Sequence, residues 1–245
     1  MIPILEEHIE SIRTELTGMS PAEGLQAASS LFPGEVTFST SFSAEDQIIT
    51  HLIAEKQLAI QIFTIDTGRL FPETYRTWSR TIEKMEVSIQ TWYPQAASLE
   101  AFVTVNGPNS FYSSIENRLQ CCGLRKVEPL SRALAGHKIW ITGIRAAHSS
   151  NRKEMPQVEW DAVHGVIKYH PMLHVTDEEL HTWIRQWDIP TNPLYDQGFV
   201  SIGCAPCTRA IQPGEDPRAG RWWWEDASKK ECGLHSTSSN SSTYS

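Results

Sequence analysis

Five cysteines carry most of the chemistry this sequence offers, and their spacing divides them four to one. Cys121 and Cys122 are adjacent, and Cys204-Ala205-Pro206-Cys207 is a Cys-x-x-Cys pair. Four thiolates complete a ligand set for zinc or for an iron–sulfur cluster. Neighbouring side chains diverge, so one ion is hard to reach from both Cys121 and Cys122, whereas a cubane presents separate iron corners. Cluster, zinc clip and buried unligated thiols all stay open on spacing alone. The fifth thiol, Cys232, lies in Lys229-Lys230-Glu231-Cys232-Gly233-Leu234-His235. Nearby lysines and a histidine favour the thiolate, which is the nucleophilic form. The bland alternative is an incidental surface cysteine. Against it stands the count: a four-thiol ligand set leaves this one unpaired.

Two further segments suit an anion. Ser39-Thr40-Ser41-Phe42-Ser43-Ala44-Glu45-Asp46 lies between a strand pattern and a helix pattern. Hydroxyls and free amides at a helix start can hold a phosphate. The loop lacks a Walker lysine and a glycine fingerprint, and a plain N-cap by Ser43 is the competing reading. Arg218 and Arg221 sit in Pro217-Arg218-Ala219-Gly220-Arg221-Trp222-Trp223-Trp224. Guanidinium forks fit oxyanions, and the tryptophans could clamp a mobile segment; ordinary packing with solvated arginines is the alternative. The histidines show no metal-ligand spacing. His170 and His174 straddle Pro171 and do not share a helical face, and His148 and His164 read as structural or surface residues.

A scaffold must gather these groups. Ile2, Leu5, Ile9, Ile12 and Leu16 mark one face of an amphipathic helix. Strand patterns follow at 35–39, 59–65, 87–91, 138–144 and 166–169. Helices are expected around Ile48–Ile53 and from Pro72, since proline suits a first helical turn. Thr176-Asp177-Glu178-Glu179 is a capping box, opening a helix with Leu180, Trp183, Ile184 and Trp187 inward. Alternating strands and helices predict an α/β fold, a mostly parallel sheet with helices on both faces. Ligands in such folds bind at the carboxyl ends of the strands, where the loops 40–46, 66–71 and 143–153 fall. The reading is one nucleotide- and cluster-binding domain over 1–210, a C-terminal segment over 211–235 carrying Cys232, and a low-complexity disordered tail over 236–245.

The 245 residues are 40% hydrophobic, enough for a sizeable core. No apolar run is long enough to cross a bilayer. The start, MIPILEEHIE, lacks the basic region of a signal peptide, so a cytoplasmic address is expected. A net charge of −8 argues against broad nucleic-acid or anionic-membrane binding. Within that acidic chain, 121–153 holds Arg125, Lys126, Arg132, Lys138, Arg145, Arg152 and Lys153 against Glu128 alone. Such an island suggests a small phosphate- or sulfate-bearing ligand, or else a solvated stripe.

Taken together, SFSAED, IDTGRLFPETY, CCGLRKVEPL, ITGIR, YHPML, IPTNPLYDQGFVSIGCAPCTR, GRWWWE and KECGLH closely resemble the assimilatory adenylyl-sulfate reductases. The resemblance spans about Phe38 to His235. It implies an adenine-nucleotide α-hydrolase type of fold, related to the ATP pyrophosphatases, with a mobile C-terminal segment. It implies that Cys121, Cys122, Cys204 and Cys207 ligate a [4Fe–4S] cluster and that Cys232 is the nucleophile. Lys126, Arg218 and Arg221 would act at the phosphosulfate with Arg145. Ser41, Ser43, Glu45, Asp46, Asp66, Thr67, Gly143 and His235 would line the substrate site. The expected reaction converts adenosine 5′-phosphosulfate (APS) to sulfite and AMP through an S-sulfocysteine released by thioredoxin or glutaredoxin, in sulfate assimilation toward cysteine. Self-association is left open. The loop has Ser43 where the family commonly has glycine, and His148 where glutamine is frequent. Three rivals remain: the same chemistry on the 3′-phosphorylated nucleotide (PAPS), a non-enzymatic redox or iron sensor that uses the cluster as a signal, and a cluster-containing tRNA-thiolating ATP pyrophosphatase. The last class wants a Ser-Gly-Gly-x-Asp-Ser loop, which SFSAED is not.

Overall fold

The computed structural model describes residues 8–146 and 155–225. Six short strands form one sheet: β1 (Val36–Ser39), β2 (Gln61–Ile65), β3 (Ile89–Trp92), β4 (Ile139–Ile141), β5 (Val158–Asp161) and β6 (Val166–Tyr169), in the order β3-β2-β1-β4-β6-β5. All neighbours are parallel except the edge pair β5–β6. Alternate side chains feed opposite faces of the sheet. Val36, Phe38, Ile62, Ile139, Ile141 and Ile167 enter the larger core with the helices Pro21–Leu31 and Ala44–Glu55. Phe63, Trp140 and Val166 enter the smaller one with Leu130, Ala133 and Leu134 of the helix Glu128–Leu134. This is the mostly parallel, doubly covered α/β sheet expected from the alternating patterns.

Several elements differ from the sequence reading. The strand expected over 138–144 ends at Ile141, because Thr142 onward leaves the sheet to form a loop. Strand β5 was not anticipated: VEWD mixes charge with bulk and sits at an edge, antiparallel to its neighbour. Residues 93–137, read without elements, contain the helices Ala96–Asn106, Ile115–Cys122 and Glu128–Leu134. Of Ala96–Asn106 only Phe102 is buried, so no apolar stripe announced it. The Thr176–Glu179 capping box forms as expected, and Leu180, Trp183, Ile184 and Trp187 of its helix pack on the core. Of the first amphipathic helix, Ile9–Leu16 is described and residues 1–7 lie outside the described residues.

The expected boundary at 210 falls within a packed loop. A bridge joins Thr208 to Arg221, Arg209 N–H donates to Gly220 O, and Trp222 N–H donates to Cys207 O. Residues 211–225 therefore return onto the Cys-x-x-Cys segment. No helix among the described residues is long and apolar enough to cross a membrane.

Candidate active site

The chain runs from β1 to β2 and β3 on one side, then crosses to β4 on the other. The loops after β1 and β4 thus part at the point where strand order reverses, which opens a crevice at the carboxyl edge of the sheet. A cavity of about 310 Å³ occupies it. Ser41, Ser43, Glu45 and Asp46 line it from the β1 loop, Thr67 from the β2 loop, and Thr142 and Gly143 from the β4 loop. Lys126, Cys204, Arg218 and Arg221 complete the wall, with Asn192 and Tyr195.

The β1 loop is held under local strain. Phe42 adopts φ +61°, costly for a side chain with a Cβ, and it is buried and stacked on Trp78 at 5.4 Å. Beside it, the Ser41 amide and hydroxyl both donate to Asp46 Oδ2, at 2.6 and 2.8 Å. Ser43 caps the following helix, its Oγ accepting from Asp46 N–H at 3.2 Å. Ser43 is thus a cap and a cavity residue at once. Burial pushes the Asp46 carboxyl up to about 6, against the opposing bonds from Ser41. Gly143 presses against this group: a Cβ there would lie 2.1 Å from Asp46 Oδ1, so any other residue would displace the carboxylate.

Two expected substrate residues do not line the cavity. Asp66 accepts from Gly68 N–H at 2.8 Å and from the Tyr75 hydroxyl at 2.9 Å, which organises the turn after β2. Arg145 is buried and bonds Glu45 at 2.8 Å, Val175 O at 3.1 Å and Asp177 at 2.6 Å. Its charge braces Glu45 from behind. The basic island also disperses: Arg132 pairs with Glu128 and Lys138 with Glu35 on the surface, while Arg125 donates to Thr67 O at 2.6 Å. Cys232, His235, His148, Arg152 and Lys153 lie outside the described residues.

The other four cysteines meet beside the cavity and form no disulfide. Cys121 and Cys122 end the helix Ile115–Cys122, which continues through a π-helical turn, Gly123–Val127. Pro129 explains the widening, since it has no N–H and its ring crowds the carbonyl four residues back. The turn carries Arg125 and Lys126. Cys204 and Cys207 flank a single 3-10 turn docked by Ala205 N–H to Arg69 O at 2.8 Å. All four sulfurs line one small pocket with Arg69, Arg118, Arg125, Lys126, Phe111 and Trp222. Burial opposes ionisation of Cys204, yet Lys126, the Thr67 hydroxyl at 3.3 Å, Arg221 and Arg125 together hold its thiol below the usual range. Burial, and Cys204 next to it, push Cys207 up to about 12. Among the described residues no three His, Cys, Asp or Glu side chains are placed to hold one metal ion. Four thiols around one pocket with cations behind them nonetheless fit a polynuclear, anionic cluster, whose corners do not require convergence on a point.

The segment carrying the arginines is locked to this pocket. Trp222 is buried, and the guanidinia of Arg118 and Arg221 lie over its ring at 4.8 and 4.9 Å from the centroid. Arg118 in turn bonds Glu225 at 2.9 and 2.8 Å, both side chains almost wholly buried. Gly203 makes room for Arg221: a Cβ there would lie 2.4 Å from the guanidinium. Sequence reasoning singled out neither Arg118, Glu225, Tyr195 nor Thr142. Thr142, Tyr195 and Glu225 lie within the segments ITGIR, IPTNPLYDQGFVSIGCAPCTR and GRWWWE that carry the resemblance, whereas Arg118 sits in an unremarkable helix.

Residues 35–210 match the phosphoadenosine phosphosulfate reductase domain family. The chain is 44% identical over 231 residues to an adenosine 5′-phosphosulfate reductase of Sinorhizobium fredii, covering 94% of this chain and 92% of the relative. A Burkholderia cepacia protein of the same description is 46% identical over 203 residues, covering 83% and 81%. The crystal structure of a phosphoadenylyl-sulfate reductase from Candida auris, in a phosphate complex, superposes with a TM-score of 0.71 at 26% identity, covering 84% of this chain and 97% of that one.

Proposed function

The chain belongs to the phosphoadenosine phosphosulfate reductase family, and from that premise we propose that it reduces adenosine 5′-phosphosulfate to sulfite and AMP in sulfate assimilation, with Cys232 as the nucleophile. One observation carries the reading: the cavity at the sheet's switch point has nucleotide-sized room and a wall built of Lys126, Arg218, Arg221 and Cys204. Cations at that wall suit a phosphosulfate, and the neighbouring cysteine pocket suits the cluster-bearing branch that the sequence resembles. The 44–46% identical relatives are described as acting on APS, which favours that nucleotide over its 3′-phosphorylated form.

The thiolate of Cys232 attacks the sulfur of the bound phosphosulfate. The sulfur–oxygen bond to AMP breaks, and AMP leaves with the bonding pair. Lys126, Arg218 and Arg221 offset the negative charge that gathers on the bridging oxygen, a preorganised electrostatic contribution. The enzyme then carries Cys–S–SO₃⁻. One thiolate of an external dithiol attacks the Cys232 sulfur and sulfite departs with the electron pair. The second thiol resolves the mixed disulfide, returning the Cys232 thiolate and leaving the reductant oxidised by two electrons. The other four cysteines are committed to the pocket, so the dithiol comes from outside, and thioredoxin has the required chemistry. Cys121, Cys122, Cys204 and Cys207 would hold a [4Fe–4S] cluster, which would supply charge and rigidity beside Lys126.

The test is an intact-mass measurement. Protein mixed with APS and no reductant should gain one SO₃ at Cys232 and release one AMP; Cys232→Ser should do neither. Absence of the adduct on wild-type protein would sink the proposal. A parallel assay with PAPS decides between nucleotides.

A further inference from the structure

The buried polar groups along β5 and β6 form a series that ends at the cavity and that the reaction above does not use. Thr142, at the end of β4, lines the cavity and is itself almost fully buried. Its Oγ1 lies 2.7 Å from His170 Nδ1, and it accepts a long bond from Ile144 N–H at 3.4 Å. His170 has no solvent exposure, and its Nε2 lies 3.5 Å from Glu159 Oε1. Behind them, Lys168 Nζ is 2.9 Å from Asp161 and 3.7 Å from Glu159. An ammonium thus already accompanies both carboxylates. Hydroxyl, imidazole and carboxylate stand in a row, from cavity wall to sheet edge.

The row fixes a hydrogen-bond direction. A histidine tautomer follows the groups that face its two nitrogens, and Nε2 of His170 faces Glu159 without hydrogen-bonding it. At 3.5 Å the contact is longer than a hydrogen bond, but a carboxylate facing Nε2 repels a lone pair there, so the charge of Glu159 favours the tautomer with the proton on Nε2. Nδ1 is then an acceptor, and the Thr142 hydroxyl must donate to it. A hydroxyl has one proton and two lone pairs. With its proton spent on His170 and one lone pair facing Ile144 N–H, Thr142 has one acceptor site left. An acceptor repels phosphate oxygens and attracts O–H or N–H.

We infer that Thr142 is a substrate-binding residue whose hydroxyl accepts a hydrogen bond from the nucleoside part of the ligand, and that His170 and Glu159 are positioning residues that hold it in that sense. On an adenine nucleotide the available donors are the ribose hydroxyls and the 6-amino group. The inference rests on the adenine-nucleotide reading of the cavity.

The experiment is calorimetric titration of the holoenzyme with AMP, IMP, 2′-deoxy-AMP and 3′-deoxy-AMP, for wild type, Thr142→Val and Thr142→Ser. One neutral hydrogen bond to a ligand corresponds to about a 3- to 10-fold change in affinity. Thr142→Val should weaken AMP binding by that factor, Thr142→Ser should restore it, and for one analogue, the one lacking the donor, valine should cost nothing. That analogue identifies the donor. Equal weakening for all four ligands would make Thr142 structural and overturn the assignment, as would unchanged AMP binding by the valine variant. Failure of wild-type protein to bind any of the four would overturn the adenine-nucleotide reading itself. For the positioning residues, the ¹⁵N shifts of His170 should report the Nε2–H tautomer in wild type; an Nδ1–H tautomer would refute the direction argued here. His170→Phe should reduce the discrimination between AMP and the donor-lacking analogue, a ratio that simple loss of packing would leave alone.

Discussion

Glu225→Ala tests whether the arginine-bearing segment is locked to the cysteine pocket by one buried ion pair. Glu225 and Arg118 have side-chain exposures of 4% and 1% and are joined by two bonds of 2.9 and 2.8 Å. Removing one partner of such a pair leaves the other charge desolvated, at a cost of about 3–5 kcal/mol. For a chain of this length each kcal/mol lowers Tm by about 2–4 °C, so the variant should melt roughly 6–20 °C lower. The loss should also reach the cavity. Arg118 and Arg221 both stack on the Trp222 ring, so loosening Glu225 should disturb, through Arg118 and Trp222, the Arg221 cation that lines the cavity wall. Urea unfolding followed by circular dichroism and tryptophan fluorescence gives the stability, and AMP titration gives the site. The apolar double variant Arg118→Met/Glu225→Leu should recover most of the stability, because no charge is left buried. A Tm fall of under about 2 °C for Glu225→Ala, equivalent to less than about 1 kcal/mol, would refute the locking argument. So would a double variant as unstable as the single one.

Three other outcomes follow from the same geometry. Gly143→Ala puts a Cβ where Asp46 Oδ1 now lies, so the carboxylate must swing off Ser41; a stability loss of about 1–3 kcal/mol with weakened AMP binding is expected, and unchanged binding by calorimetry would exclude the close approach. Asp46 has its carboxyl raised to about 6 from an ordinary 3.8, so the folded state binds its proton more tightly than the unfolded chain. Its contribution to stability is complete below about pH 4 and is lost as pH rises through 6, on the order of 2–3 kcal/mol. Asp46→Asn should remove that slope from stability measured between pH 4 and 7, and an unaltered slope would count against it. Cys121→Ser should lose iron and the brown absorbance, and a normal iron count by atomic absorption would remove Cys121 from the ligand set.

Much of the sheet was legible because period and length agree. Segments such as EVTFS and AIQIFTI are short, apolar and closed by turn residues, as buried parallel strands must be. The edge strand Val158–Asp161 was not, because its Glu159 and Asp161 face a buried ionic cluster with Lys168 rather than solvent. Charge in a strand reads as a loop until its partner in space is known. The site divides similarly. Residue type and spacing marked the cysteines, Arg218, Arg221 and the loops at the strand ends, whereas the individual substrate roles of Lys126, Ser41, Ser43, Glu45, Asp46, Thr67 and Gly143 came from the family resemblance. Asp66 and Arg145 were marked by the same logic, yet the fold employs them in turning and bracing. The pairing of Arg118 with Glu225 was invisible, since a buried pair 107 residues apart leaves no local pattern.

The cavity and the cysteine pocket share a wall. Lys126 and Cys204 line both, and the Thr67 hydroxyl reaches Cys204 from the turn that closes the nucleotide side. This arrangement follows from a single local feature. A regular helix from Ile115 to Leu134 would carry Lys126 at a different angle relative to Cys122, because each added residue turns the face by about 100°. The π-helical turn Gly123–Val127, which Pro129 favours, inserts the equivalent of one extra residue and rotates Lys126 relative to the cysteines that precede it. The helix thereby presents two thiols to the pocket and an ammonium to the wall between pocket and cavity. A charge held at the pocket would then act through this one side chain on an anion bound in the cavity. Sequence alone could place the cysteines and the lysine near each other, but only the interrupted helix explains how they serve two cavities at once.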